Sequence, residues 1–241
     1  MSLSEVHLPD YKLRHELWNS ISHGLGAIFG LLIMIFCLIK VNQVGFIEGV
    51  PGSHPLSYES FVFKNISICI YAIGMMITYT ISCIYHALAK NRGKKVLRIL
   101  DHDTVYLLIS GTYTPFCLIS LRHATMWGFI PYAGPIIFSL CWILVILGIV
   151  FNSINIEKFK VFSFVMYICA GWSIIFAISE IYQIIGLNGF LLLLFGGIAY
   201  TLGSVIYGLG KNHSVWFHTV FHFFVLLGTV LQFLSIYLYV L

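Results

Sequence analysis

The stretch WFHTVFHFFVLLGTVLQFLSIYLYVL, residues 216–241, combines an apolar run long enough to cross a bilayer with two histidines near its start. His218 and His222 stand four residues apart, so on an α-helix both rings lie on one face, about 6 Å apart along the axis. This spacing suits a metal ion. It equally suits two core histidines, each bonded to a neighbouring helix, because zinc usually takes three or four protein ligands. The pair alone leaves both interpretations open.

The same apolar character extends over the whole chain. Of its 241 residues, 59% are apolar and 9% are charged, whereas a soluble domain has about 25% charged residues. The composition therefore predicts a multi-pass membrane protein. No polar stretch is long enough to fold separately, so residues 1–241 are expected to form one domain, with residues 1–18 as a short cytoplasmic N-terminal segment. The six cysteines lie inside apolar runs without a CxxC pair, so the sequence indicates neither a disulfide framework nor a thiolate zinc site.

Seven apolar runs of about 20 residues predict an all-α bundle of seven transmembrane helices, because the backbone must satisfy its own hydrogen bonds in lipid. The predicted spans are residues 19–39, 62–88, 99–120, 127–151, 161–179, 187–209 and 215–241. Pro115 is expected to kink the third span near its outer end.

The basic residues predict the orientation of the bundle. On the side of the N-terminus lie ten of them: Lys12, Arg14, Lys90, Arg92, Lys94, Lys95, Arg98, Lys158, Lys160 and Lys211. The opposite side holds Lys40, Lys64 and Arg122. The positive-inside rule then places the N-terminus in the cytoplasm and the C-terminus outside. The amphipathic residues 6–17 either lie on the inner membrane surface or form a disordered tail.

Five ionisable side chains from four predicted spans share one depth, the inner third of the bilayer. They are His23, His86, Asp101, His218 and His222. Ionisable groups inside membranes are costly and usually functional, and independent structural histidines would have no reason to share a depth. The convergence therefore predicts a metal site formed by His86, His218 and His222.

Three neutral imidazoles leave the fourth coordination position of zinc open to water, which is typical of catalytic sites. Asp101 is the best candidate for a carboxylate that holds or deprotonates this water. Ser82 lies one turn before His86 on the same face and could bond a ligand, the water or the substrate. The alternative for Ser82 is a role in helix packing.

Glu16, Asn19 and His23 follow one another at spacings of three and four, which gives one polar stripe on the first helix. Such a stripe could bond the outer nitrogens of the ligand histidines and orient their rings. Asn19 has an alternative role as the cap of the first helix.

The motifs around these residues resemble those of the hemolysin III family, the bacterial branch of the family that includes the adiponectin and progestin receptors. The matching motifs are Glu16-x-x-Asn19-x-x-Ser22-His23, Ser82-Cys83-Ile84-Tyr85-His86, Leu100-Asp101-His102-x-x-Val105-Tyr106, Gly111-Thr112-Tyr113-Thr114-Pro115 and Trp216-x-His218-x-x-x-His222. The resemblance implies seven spans with a cytoplasmic N-terminus and a zinc ion held by His86, His218 and His222. It also implies that Asp101 contacts the zinc-bound water and that Ser82 lies beside it.

The family is similar to alkaline ceramidases, which implies a zinc-dependent hydrolase of lipid amide or ester bonds, acting in membrane-lipid homeostasis. A bacterial plasma membrane is the expected location, with a membrane lipid as substrate or ligand. No nucleic-acid partner is expected, and assembly into a homo-oligomer is left open. Two alternatives remain: a membrane sensor or receptor with a structural zinc ion, and a cytolytic pore-forming hemolysin.

Overall fold

Seven α-helices run through the parts of the chain that the structure, a computed structural model, describes: residues 3–45, 58–210 and 213–241. They are α1 (Leu13–Gly45), α2 (Tyr58–Ala87), α3 (Arg92–Pro115), α4 (Ala133–Ile154), α5 (Lys160–Gly171), α6 (Ile178–Gly210) and α7 (Trp216–Tyr239). Within these ranges no β-strand forms, and the only β-type pairing is a single bridge between Met126 and Ile130. The predicted all-α class is confirmed.

Five segments of the described chain are long and apolar enough to cross a membrane. They are Leu13–Gln43, Ser60–Ala87, Ala133–Ile154, Lys160–Gly210 and Trp216–Tyr239. This supports the predicted multi-pass membrane protein, while the count of seven crossings and the sides of the termini stay predictions. Helix α3 does not qualify as a candidate because its first half carries basic and acidic side chains from Arg92 to Asp103. Lys211, which entered the orientation argument, lies outside the described residues.

The segment Lys160–Gly210 differs from its prediction. Spans at 161–179 and 187–209 were expected with a loop between them, but α5 already ends at Gly171 and a 3₁₀-helix, Ser173–Ala177, follows it. Helix α6 starts at Ile178, because Ile181 and Ile185 bury one helical face there. Within α6 the helix is interrupted at Gly186, whose φ of 69° is strained for a residue with a Cβ atom but not for glycine.

The fourth span starts later than predicted, at Ala133 and not at residue 127. Trp127 and Tyr132 both have left-handed backbone angles, with φ of 56° and 61°, which an α-helix cannot contain. Helix α3 ends at Pro115, and a π-helical turn, Phe116–Ser120, follows. The kink expected at Pro115 stays a prediction.

The packing brings distant parts of the chain to one end of the bundle. Helix α1 lies against both α2 and α7, and α2 also packs on α3. Helix α3 packs in turn on α4 and α5, and α6 packs on α7. The short connection between α2 and α3 places the end of one helix beside the start of the next. The starts of α1, α3 and α7 therefore meet the end of α2.

Residues 3–11, here called the N-terminal strap, pack across these helix ends. Val6 is buried, the Lys95 ammonium donates to the carbonyl oxygens of Leu3 and Ser4, and Asp10 forms an ion pair with Lys90. The expected disordered tail does not describe it, whereas a place on the inner membrane surface stays a prediction. Its contacts with α3 tie it to the bundle.

Candidate metal centre

Three imidazole nitrogens converge where α2 ends and α7 begins. The Nε2 atom of His218 lies 3.2 Å from Nε2 of His86 and 3.1 Å from Nε2 of His222. Zinc–nitrogen bonds of about 2.0–2.1 Å in a tetrahedral site would separate such atoms by about 3.3–3.4 Å. The three ligand atoms are buried and lie within 4.8 Å of one another, so this group could hold a metal ion.

Each helix brings its ligands to the centre for a local reason. His218 and His222 lie in the first two turns of α7 at a spacing that puts them on one face. His86 is in the last turn of α2. Because α1 packs on both helices, it can reach the outer side of the rings and hold them in place.

The hydrogen bonds of the Nδ1 atoms indicate which ring nitrogens face the centre. The Nδ1 atom of His86 lies 2.6 Å from Oε2 of Glu16, and Nδ1 of His222 lies 3.3 Å from Oγ of Ser22. A carboxylate only accepts hydrogen bonds, so His86 donates Nδ1–H and, as a neutral ring, keeps its lone pair on Nε2. This tautomer is the one that binds a metal ion through Nε2.

The polar stripe of α1 reaches the site in three different ways. Glu16 hydrogen-bonds a ligand histidine directly, as expected. His23 makes no such bond; its ring stacks on that of His222, with centroids 3.6 Å apart and planes at 12°. Asn19 accepts a 2.7 Å hydrogen bond from Thr219 and so ties α1 to α7. Its alternative role as a helix cap is wrong, because α1 already begins at Leu13.

Ser82 and Asp101 lie outside the ligand group. Ser82 is buried, and its hydroxyl has no hydrogen-bond partner among the described residues. The Asp101 carboxylate is within electrostatic range of Tyr11 and Tyr85, whose rings contact the ligand histidines. Their catalytic roles stay predictions.

Two further residues belong to this site and were missed in the sequence. The Lys94 ammonium lies 2.5 Å from Oε1 of Glu16, and the Tyr11 ring stacks on His218 with centroids 5.3 Å apart and planes at 18°. Lys94 was counted only among the basic residues that predict the orientation, and no spacing rule distinguishes it from Lys95. Tyr11 lies in a stretch where no periodicity points towards the histidines.

Tyr11 is a neutral group at this position. Burial raises the pKa of its phenol far above the usual value, and Tyr207, Tyr85 and the carboxylate of Asp101 add to the shift. The ring therefore contributes an apolar face and an uncharged hydroxyl to the cover of the site.

Comparisons with known proteins cover the parts of the chain that form this site. The sequence model of the haemolysin-III related family matches residues 11–233, a range that includes all three histidines. Hemolysin-3 of Bacillus cereus is 33% identical over 232 residues, which are 95% of this chain and 93% of that protein. A hemolysin-3 homolog of Bacillus subtilis (strain 168) is 28% identical over 232 residues, 95% of this chain and 96% of its own length. The chain therefore belongs to the haemolysin-III related family.

Proposed function

We propose that this protein is a zinc-dependent hydrolase that cleaves an amide or ester bond of a membrane lipid, a ceramidase-like reaction in membrane-lipid homeostasis. The observation that carries the proposal is the convergence of three Nε2 atoms, with a buried serine hydroxyl without a partner one turn from His86. A closed structural site would use a fourth protein ligand, which the described ligand group does not supply.

Zinc is the ion that this donor set favours. All three donors are imidazoles, with no thiolate and no carboxylate in the group. Magnesium and calcium prefer oxygen ligands, whereas imidazole suits zinc and its neighbours among the transition metals. Zinc at such a site supplies Lewis acidity, which polarises a carbonyl group and acidifies water.

The side chains supply the proton transfers and the orientation. Asp101 accepts a proton from the attacking water as the water oxygen bonds to the carbonyl carbon of the lipid. It returns this proton to the leaving nitrogen or oxygen when the carbonyl–heteroatom bond breaks, so the products are a fatty acid and an amine or alcohol. The Ser82 hydroxyl donates a hydrogen bond to the carbonyl oxygen, whose negative charge grows during the attack.

The proposal includes seven crossings of the bacterial plasma membrane with a cytoplasmic N-terminus. A straight helix over the 51 residues of Lys160–Gly210 would be about 77 Å long, against a hydrocarbon core of about 30 Å. The interruptions after Gly171 and at Gly186 give this segment places to turn. Cysteine labelling at single sites in the connections, from each side of sealed vesicles, tests the topology. Labelling of the α2–α3 connection from outside would overturn it.

Purified protein in lipid nanodiscs tests the activity, with zinc measured by mass spectrometry and fatty acid release measured on ceramides and phospholipids. His86→Ala should lose both zinc and activity. Asp101→Asn should keep zinc and lose activity by about 100-fold or more, the usual contribution of a general base. Full activity of His86→Ala would overturn the mechanism.

Asp103→Asn is the matched control for Asp101→Asn. Its carboxylate is two residues further on and accepts hydrogen bonds from Asn152 and Ser153 of α4, at 2.7 and 2.8 Å. This role is structural. The control should therefore lower the melting temperature and leave fatty acid release per folded molecule unchanged.

A receptor or sensor with a structural metal ion is the second candidate, because the site joins α1, α2 and α7 and the strap covers it. In this case the histidine variants would lower the melting temperature, whereas Asp101→Asn would change neither stability nor any membrane phenotype.

Cytolysis, suggested by the name of the Bacillus cereus relative, predicts instead that purified protein makes liposomes leak, with or without a chelator.

A further inference from the structure

The ammonium group of the buried Lys94 forms an ion pair with the Glu16 carboxylate, which also hydrogen-bonds His86. Glu16 uses one oxygen for each partner: Oε2 lies 2.6 Å from His86 Nδ1, and Oε1 lies 2.5 Å from Lys94 Nζ. The side chain of Lys94 is 3% exposed and that of Glu16 is 14% exposed. A carboxylate held at both oxygens cannot rotate freely, so its position depends on both partners.

The location of Lys94 is unfavourable for the helix that carries it. Asn91 caps α3 by accepting the backbone N–H of Lys94 at 2.8 Å, which makes Lys94 the third helical residue. This position favours glutamate or glutamine, because the positive end of the helix dipole repels a cation. Burial of an ammonium group adds a desolvation cost. Helix formation alone therefore does not explain a lysine here.

The remaining contacts of Lys94 offset these costs at the end of α2. Its ammonium donates a 2.8 Å hydrogen bond to the carbonyl oxygen of Leu88 and lies 5.2 Å from the centre of the Tyr85 ring. Cations are favourable at the carboxyl end of a helix. Lys94 thus joins the start of α3 to the helix end that carries His86, with Glu16 of α1 between them.

We propose that Lys94 is a positioning residue for the metal centre: its ammonium fixes the Glu16 carboxylate in the orientation that turns Nε2 of His86 towards the ion. The inference rests on the proposed metal site. It adds a cation from α3 to a centre whose ligands and their known hydrogen-bond partners come from other helices. Removal of the lysine would leave Glu16 free to turn, and the His86 ring would lose its fixed direction.

The test compares Lys94→Met with Lys95→Met, which makes the same chemical change one residue later. The Lys95 ammonium donates to the carbonyl oxygens of Leu3 and Ser4 in the strap, and both contacts are exposed. Zinc dissociation constants are measured by chelator competition, and the Co²⁺-loaded proteins are compared by visible absorption. Lys94→Met should weaken zinc binding by about 10-fold or more, the usual effect of removing an outer hydrogen-bond partner, and shift the Co²⁺ spectrum. Lys95→Met should bind zinc within about twofold of the wild type.

A double variant separates positioning from a merely structural role. If Lys94 acts through Glu16, Lys94→Met should weaken zinc binding no further in a Glu16→Gln background. Additive losses would overturn the inference, as would a Lys94→Met protein with a lower melting temperature but unchanged zinc affinity and Co²⁺ spectrum. If Lys94→Met does not fold, Lys94→Gln keeps a donor for Leu88, and an unchanged affinity in that variant would also overturn the role.

Metal uptake by the wild-type protein distinguishes failure of the metal centre from failure of the role of Lys94 alone. Wild-type protein that takes up neither zinc nor cobalt would overturn the metal centre as a whole. Histidine-dependent zinc uptake with no response to Lys94→Met would overturn the role of Lys94 alone.

Discussion

The Nε2 atoms of His86 and His218 lie 3.2 Å apart, although the two residues are 132 positions apart in the sequence. His86 donates its Nδ1–H to Glu16, so as a neutral ring it turns the lone pair of Nε2 towards His218. The Nε2 atom of His218 also lies 3.1 Å from Nε2 of His222, so one metal ion could contact all three nitrogens.

Substitution of His218→Ala should abolish metal binding, because two imidazoles do not suffice for a stable zinc site. Purified wild-type protein should carry about one zinc ion per chain, and free zinc at 100 times the dissociation constant should stabilise it by about 2.7 kcal/mol. His218→Ala should show neither effect in elemental analysis and thermal melting. His213→Ala, at an exposed position just before α7, is the control and should behave as the wild type.

Ser22→Ala removes the hydroxyl 3.3 Å from Nδ1 of His222. We expect zinc affinity to fall by about 10-fold, the low end for a lost hydrogen-bond partner, because this contact is long. Ser20→Ala is the matched control, since the Ser20 hydroxyl bonds Cys83 and lies away from the ligands. Equal zinc affinities for the two variants would contradict the prediction.

Tyr11→Ala should open the cover of the metal centre. The stacked ring contributes about 0.5–1.5 kcal/mol beyond the area that it buries, so zinc release to an excess of chelator should become about twofold to tenfold faster. Stopped-flow release with a fluorescent chelator measures this rate. Tyr11→Phe keeps the ring, and a release rate near that of the wild type is expected for it. Fast release from both variants would show that the hydroxyl, and not the stack, closes the site.

The ion pair between Arg98 and Glu157, at 2.6 Å, should make stability depend on pH. Partial burial alone would raise the pKa of Glu157, but the hydrogen bond and charge of Arg98 outweigh it, with smaller effects of His7 and Lys160, and hold the pKa below its usual 4.5. Because the folded pKa lies below the unfolded one, this stabilisation is complete above about pH 4.5 and disappears as the pH falls through the folded value.

A double-mutant cycle with Arg98→Met and Glu157→Gln checks this pair. The coupling energy should be about 0.5 kcal/mol at pH 7, as for other partly exposed pairs, and should fall towards zero at pH values below the lowered pKa of Glu157 and in high salt. A coupling energy that does not change between these pH values would contradict the assignment.

The histidine triad could be predicted from sequence because its geometry is mostly local. His218 and His222 are placed by helical spacing alone, and His86 by its depth at the end of a predicted span. Glu16 followed from its spacing to Asn19 and His23. These inferences needed only the helical repeat and the direction of each crossing, and both are readable from the chain.

Other features depend on packing between distant segments. Nothing in the run from Arg92 to Arg98 shows that Lys94 turns inward while Lys95 meets the strap, because both are lysines in the first turn of one helix. The start of α4 was misplaced because backbone angles at Trp127 and Tyr132, and not hydrophobicity, decide it. The helical residues before Gly186 were taken for a loop because their burial depends on neighbouring helices.

The stack of Tyr11 on His218 has a consequence for synthesis in the cell. A ribosome makes the strap first and α7 more than two hundred residues later. Until α7 has entered the membrane, the Tyr11 ring lacks its stacking partner His218 and His86 has no partner histidines. Capture of the proposed metal ion would therefore be a late event in biogenesis, after which the strap could pack on the completed site.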